Sequence, residues 1–245
     1  MGDFTGDRIA DLVTIDARGQ LLVHPGTRTG IFGASRVVAS GWQSTNWLGV
    51  VADVTGDQVS DLLARRSDGT LWRHDGTINR GFSRGTRLAT GWGSRSLLTV
   101  AGDVNGDQRP DLLARDASGR LFRHTVTTTL SAGRQVASGW NGVKFLAATG
   151  RWNADGIDDV TAIGSTGVVH TWYGSPAGFT SSRRIATGWV SFNHASSPGD
   201  LNLDGRRDLV GRTRAGAVYG YRNKGTGFAP GVRSARNLAG MRVIA

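Results

Sequence analysis

The sequence contains no cysteine and no glutamate, and of its 29 basic residues only Lys144 and Lys224 are lysine. The missing cysteines exclude a disulfide scaffold, a cysteine nucleophile and a thiolate metal site. Helix surfaces use glutamate and lysine freely, so their scarcity argues against helices. No apolar run approaches the roughly 18 residues of a membrane-spanning helix. No Gly-x-Ser-x-Gly elbow, HExxH motif or P-loop is present, and enzymatic activity is not expected. No signal-peptide pattern stands ahead of the first motif at Asp3, so the leader of a secreted form is expected to have been removed or to lie outside this sequence.

What the chain does contain is glycine: 37 of 245 residues, about twice the usual share of roughly 7%. Together with Val, Thr, Trp and Leu this predicts short strands and tight turns. The segment from Asp3 to Leu12 recurs from Asp53 to Leu62, from Asp103 to Leu112, in degraded form from Arg151, and from Asp200 to Leu209, at spacings of 50, 50, 48 and 49 residues. Each copy is followed by a glycine-led segment ending at His24, His74, His124, Trp172 or Tyr221. Then comes Ala-Ser/Thr-Gly-Trp, ending at Trp42, Trp92, Trp140 or Trp189, and an apolar run into the next motif.

Each unit reads as four strands: A before the motif, B after it, C glycine-led, and D ending at Gly-Trp. Four strands in a repeat of about 40–50 residues is a propeller blade. The expected fold is therefore all-β, one five-bladed β-propeller domain with repeats near 3–52, 53–102, 103–150, 151–199 and 200–245. The first repeat lacks strand A, and Met241–Ala245 is an orphan strand A. Pairing it into blade 1 as four antiparallel strands would close the ring and remove its open edges.

The complete motifs read Asp-x-Thr/Asn-x-Asp-x-x-x-Asp, with oxygen side chains at positions 1, 3, 5 and 9. The candidate ligands are Asp3, Thr5, Asp7 and Asp11; Asp53, Thr55, Asp57 and Asp61; Asp103, Asn105, Asp107 and Asp111; and Asp200, Asn202, Asp204 and Asp208. Backbone carbonyls at position 7 would come from Ile9, Val59, Arg109 and Arg206. Calcium accepts six to eight such oxygens, and about four structural calcium ions are expected. With Asp155 and Asp159 of the degraded fourth copy, fourteen of the 19 aspartates sit at motif positions, where unscreened carboxylates repel one another. The competing account is Asx turn chemistry. In the fourth copy Arg151 replaces the first aspartate, and its guanidinium is expected to neutralise Asp155 and Asp159 in place of a metal.

The aspartate loops, the Asp-Leu strand and the Gly-Phe pairs at 81–82, 178–179 and 227–228 resemble FG-GAP/VCBS propeller repeats. That resemblance spans the whole chain and implies calcium between strands A and B. Integrin heads carry similar loops in a seven-bladed ring, from which five blades depart.

The second signal is Gly-Trp. Gly139-Trp-Asn-Gly-Val-Lys-Phe-Leu146 is similar to a repeat of tachylectin-type five-bladed lectins, over about ten residues per blade. The resemblance implies an N-acetyl-hexosamine pocket between neighbouring blades. Trp42, Gln43, Trp92, Trp140, Asn141 and Trp189 are the candidate ligand-binding residues, since an indole beside a polar group suits a sugar's mixed surface. Packing at the blade seam is the alternative. The fifth copy, around 236–241, has no tryptophan, and its site should be altered or absent.

His24, His74 and His124 share a register position with Trp172 and Tyr221, which points to packing rather than catalysis. The net charge of +10 is spread over every blade with no nucleic-acid motif. No nucleic-acid partner or membrane insertion is expected. The functional expectation is a secreted, calcium-stabilised propeller that binds carbohydrate, an N-acetylated hexosamine or a wall glycan, as a cell-surface or wall-targeting module. The alternative is a structural or protein-interaction propeller.

Overall fold

A computed structural model describes residues 2–29, 31–78 and 81–245, and for residues 235–237, 243 and 244 their backbone alone. It forms a five-bladed propeller of four-stranded antiparallel sheets. Blade 1 contains β1 (Leu12–Asp16), β2 (Leu21–His24) and β3 (Arg36–Ala39), with β22 (Met241–Ile244) innermost. Blade 2 contains β4 (Thr45–Val51), β5 (Asp61–Arg66), β6 (Leu71–His74) and β9 (Thr86–Ala89), with a small hairpin of β7 (Gly76–Thr77) and β8 (Gly81–Phe82). Blade 3 contains β10 (Ser96–Gly102), β11 (Asp111–Arg115), β12 (Leu121–Thr125) and β13 (Arg134–Ala137). Blade 4 contains β14 (Val143–Gly150), β15 (Asp159–Gly164), β16 (Val169–Trp172) and β17 (Ser182–Ala186). Blade 5 contains β18 (Phe192–Gly199), β19 (Asp208–Thr213), β20 (Ala217–Tyr221) and β21 (Val232–Asn237).

Closure occurs as the repeat implies. β22 pairs with β1 through Thr14–Ile244 and Ile15–Val243. The Ala245 amide donates to the Val13 carbonyl at 2.8 Å. One boundary differs: the outer strands end at Ala39, Ala89, Ala137 and Ala186. Gly-Trp therefore belongs to the connection between blades. Its glycines, Gly41, Gly91, Gly139 and Gly188, have φ of 77–87°, which strands do not use and side chains resist.

The core lies between blades. Five apolar clusters fill the five seams, the last joining blade 5 to blade 1 through Leu12, Leu201, Val210 and Leu238. Strands of each sheet alternate, so one side chain set faces each neighbour. Fully buried residues such as Ile15, Leu63, Leu113 and Ile163 each contribute about 1.5–3 kcal/mol through loss of water contact. The antiparallel order puts the aspartate loops on one face of the ring and the Gly-Trp connections on the other.

Candidate functional site

The aspartate loops follow one plan. The position-1 carboxylate holds the turn: Asp3 Oδ1 accepts from the Gly6 amide at 2.6 Å and Oδ2 from the Arg8 amide at 2.7 Å. Asp53, Asp103 and Asp200 accept from the same two positions at 2.6–2.7 Å. Those two positions are left-handed: Gly6 and Arg8, Gly56 and Gln58, Gly106 and Gln108, and in the last loop Leu203 and Gly205. A glycine takes one of them and an amide-to-carboxylate bond holds the strained residue at the other. Burial pushes the Asp53 carboxyl up, but amides of Gln58, Gly56 and Thr55 outweigh it and hold it below its ordinary value.

The position-9 carboxylate has a different task. Asp11 accepts from the Phe4 amide at 2.7 Å and from the Gly26 amide at 2.9 Å. It thereby ties the loop to the end of strand C. Asp61, Asp159 and Asp208 repeat both bonds. In Asp111 the Thr125 hydroxyl replaces the second amide, at 3.0 Å. Burial is the main cause that pushes Asp11, Asp111, Asp159 and Asp208 up to about 6, with neighbouring loop carboxylates adding for each.

Among the described residues no three acidic or histidine side chains converge to metal-binding distance; the loop amides hold the carboxylates instead. The donor set still suits a hard cation. In the third loop Asn105 Nδ2 donates to Asp107 at 3.1 Å, leaving Asn105 Oδ1 buried without a hydrogen bond. A carbonyl oxygen free of hydrogen bonds beside the loop carboxylates is a donor of the kind a hard cation takes. The four complete loops therefore fit calcium chemically. The Arg151 loop does not, because a guanidinium stands where the first carboxylate is needed.

Arg151 does not reach Asp155 and Asp159 as expected; it pairs with Asp158 at 3.8 Å. Asp158 also meets Arg207 of the next blade at 3.3 Å and accepts from the Asp103 amide of the preceding loop at 3.1 Å. One carboxylate thus links three loops. The sequence showed Asp158 only as an acid outside the motif. Asp159 keeps its place in this degraded loop because its amide bonds do not depend on a metal.

The Gly-Trp indoles lie in the seams. Trp42, Trp92, Trp140 and Trp189 are only 3–8% exposed. Each packs on the strand-C residue of the following blade: His74 at 4.5 Å, His124 at 4.8 Å, Trp172 at 5.1 Å and Tyr221 at 4.4 Å between ring centres. This explains why histidine and aromatics interchange there. Leu238 holds the equivalent place in the fifth seam, its amide donating to the Gly216 carbonyl as Trp42 does to Gly19. Arginines brace these turns: Arg115 Nη1 donates to the carbonyls of Trp140 and Val143 at 2.6 and 2.8 Å.

Gln43 and Asn141 are exposed but turn back over their own blades. Gln43 Nε2 donates to the Arg18 carbonyl at 3.1 Å, and the Asn141 side chain lies against Gly119. The polar partners of Trp42 are others. A cavity of about 270 Å³ opens at the seam of blades 1 and 2, lined by Trp42, His74, Phe82, Ser83, Arg66 and Arg84 among others. Burial is the main cause that holds His74 below its ordinary pKa, so its imidazole is neutral at pH 7. Arg66 and Arg84 have no repeat signature, and sequence periodicity alone could not single them out. A larger cavity of about 770 Å³ opens on the aspartate-loop face, between the third, fourth and fifth loops.

Neither a protein-family model nor a curated protein sequence matches the chain. Solved structures do. The BP39L lectin of Burkholderia pseudomallei is similar at 12% identity and a TM-score of 0.51, over 94% of this chain and 71% of that one. AofleA of Arthrobotrys oligospora is similar at 12% identity and a TM-score of 0.51, over 93% of this chain and 70% of that one. A chain of the Photorhabdus luminescens Tc holotoxin pore matches 98% of this chain at 15% identity and a TM-score of 0.46, and this chain spans 12% of it. Similarity at these identities concerns the propeller fold.

Proposed function

We propose that this chain is a calcium-stabilised, carbohydrate-binding propeller that works outside the cell as a surface- or wall-targeting module. The observation that carries the reading is the cavity between blades 1 and 2. There Trp42 and Phe82 supply apolar lining, and Ser83, His74 and two arginines supply polar groups. A sugar needs both: a surface for its C–H face and fixed partners for its hydroxyls. The similarity in fold to the BP39L lectin supports the reading in general terms, without naming a sugar. N-acetylated hexosamines and wall glycans are the first ligands to test.

Calcium in this reading is structural. Asp3, Thr5, Asp7, Asp11 and the Ile9 carbonyl would hold one ion, and the corresponding residues of the second, third and fifth loops three more. A bound ion screens the carboxylates of each loop and stabilises the folded state by mass action. Metal analysis should return about four calcium ions per chain, and chelation should lower the melting temperature. A glycan array with and without chelator tests the rest: hits that fall on Trp42→Ala support the reading, and an array without hits removes it.

The second reading is a structural or protein-interaction propeller. The burial of all four indoles favours it, because a side chain 3–8% exposed is already occupied in packing. Pull-down of a protein partner, combined with the empty array, would select it.

A further inference from the structure

The seam cavity of blades 1 and 2 has a charge pattern of one sign. Two arginines border it, Arg66 at the end of β5 and Arg84 just before β9, and among the described residues no acidic side chain lines it. Neither arginine has a carboxylate within 4 Å among the described residues. The Arg66 guanidinium stacks on Trp72, 3.8 Å from the ring centre. Trp72 is itself fixed by a 2.7 Å bond from its indole nitrogen to the Thr70 hydroxyl. A stacked guanidinium is held in place while its N–H edge stays available, and a planar fork matches an oxyanion.

The strand register shows that the Arg66 position is basic in this blade and in no other. The pairs Ile15–Leu21, Arg65–Leu71, Arg115–Leu121, Ile163–Val169 and Arg212–Val218 are equivalent. The residue after each first member is the Arg66 equivalent: Asp16, Asp116, Gly164 or Thr213. Two of these are acidic and none is basic. The volume of about 270 Å³ lies below the roughly 300–1,000 Å³ of drug-sized sites and suits a single sugar ring.

Resting on the carbohydrate reading, we infer that the seam between blades 1 and 2 is a single subsite for an acidic sugar, whose carboxylate or sulfate is held by Arg66 and Arg84 while its ring lies against Trp42 and Phe82. Trp42 and Phe82 hold the neutral part of the ligand and the arginines select its charge. Neutral glycans then bind more weakly, because they offer the two guanidinium groups no opposite charge.

The experiment is a titration of the full chain with three oligosaccharides on one backbone: uronate-bearing, sulfated and neutral. The wild type should bind one or both acidic forms at least tenfold more tightly than the neutral form, with one site per chain. Arg66→Ala and Arg84→Ala should each remove that preference, while Arg87→Ala, an exposed arginine of β9 outside the cavity, should keep it. Arg84 is exposed, so its variant decides the matter even if loss of the Arg66 stack unfolds the chain. Equal affinity for neutral and acidic forms overturns the acidic subsite but leaves the carbohydrate reading standing. Equal losses in Arg84→Ala and Arg87→Ala reduce the effect to general charge and also overturn it. No binding of any of the three, on an array also without hits, overturns both.

Discussion

Replacing Trp140 with alanine gives the most direct measure of what the Gly-Trp segments do. Trp140 is 3% exposed and packs on Trp172 and Phe179, with ring centres 5.1 and 5.9 Å away. Truncating a buried tryptophan costs about 3–5 kcal/mol, since it removes the apolar transfer energy and leaves a cavity. In a chain of 150–250 residues each kcal/mol moves Tm by about 2–4 °C, so a drop of about 6–20 °C is expected. The backbone should not move, because the Arg115 bonds end on the carbonyls of Trp140 and Val143. Trp140→Leu places in this seam the residue that the fifth seam uses at 238. It should cost less, about 1–3 kcal/mol, because part of the volume is kept. Differential scanning calorimetry on both variants, with acrylamide quenching of tryptophan fluorescence, checks the reasoning. A Trp140→Ala protein melting within 1–2 °C of wild type would refute the packing role and free the indole for a ligand.

His194 sets a pH prediction. Burial beside the inner strands β4 and β10 pushes its pKa from 6.5 down to about 4, and its Nε2 has no hydrogen-bond partner among the described residues. The unfolded chain therefore binds a proton between these values that the folded chain refuses, and stability falls with falling pH. At pH 5 the penalty is about 2 kcal/mol; the unfolding free-energy difference between wild type and His194→Asn should shift by about that amount between pH 7 and pH 5, in the variant's favour, and a pH-independent difference would refute it. Removing 241–245 strips the inner strand from blade 1 and exposes the β1 edge. Several kcal/mol of a typical 5–15 kcal/mol should be lost, with aggregation, whereas an unchanged monomeric melt would show that closure contributes little.

Most of the fold was legible because it is written in short-range, repeated terms. Antiparallel pairing within a blade joins segments a few residues apart. A period near 49 residues, with glycines at the left-handed positions of the loops and before each tryptophan, specifies strands, turns and the orphan strand that closes the ring. The position-1 and position-9 aspartates were visible too, but not their division of labour. That depends on the Gly26, Gly76 and Gly174 amides, which only the folded blade brings beneath the loop.

What tertiary structure alone decided lies between blades. Periodicity says that Trp42, Trp92, Trp140 and Trp189 are equivalent, not which way an indole points. Sheet twist and the number of blades send each one inward onto the next blade's strand C. The same geometry turns Gln43 and Asn141 away and pairs Arg151 with Asp158 rather than with Asp155 and Asp159. It also gathers Trp42, Arg66 and Arg84 around one cavity. These three share no repeat position, so no reading along the chain relates them. Their proximity arises because seam contacts join residues from different repeats, where the sequence period carries no information about individual side chains.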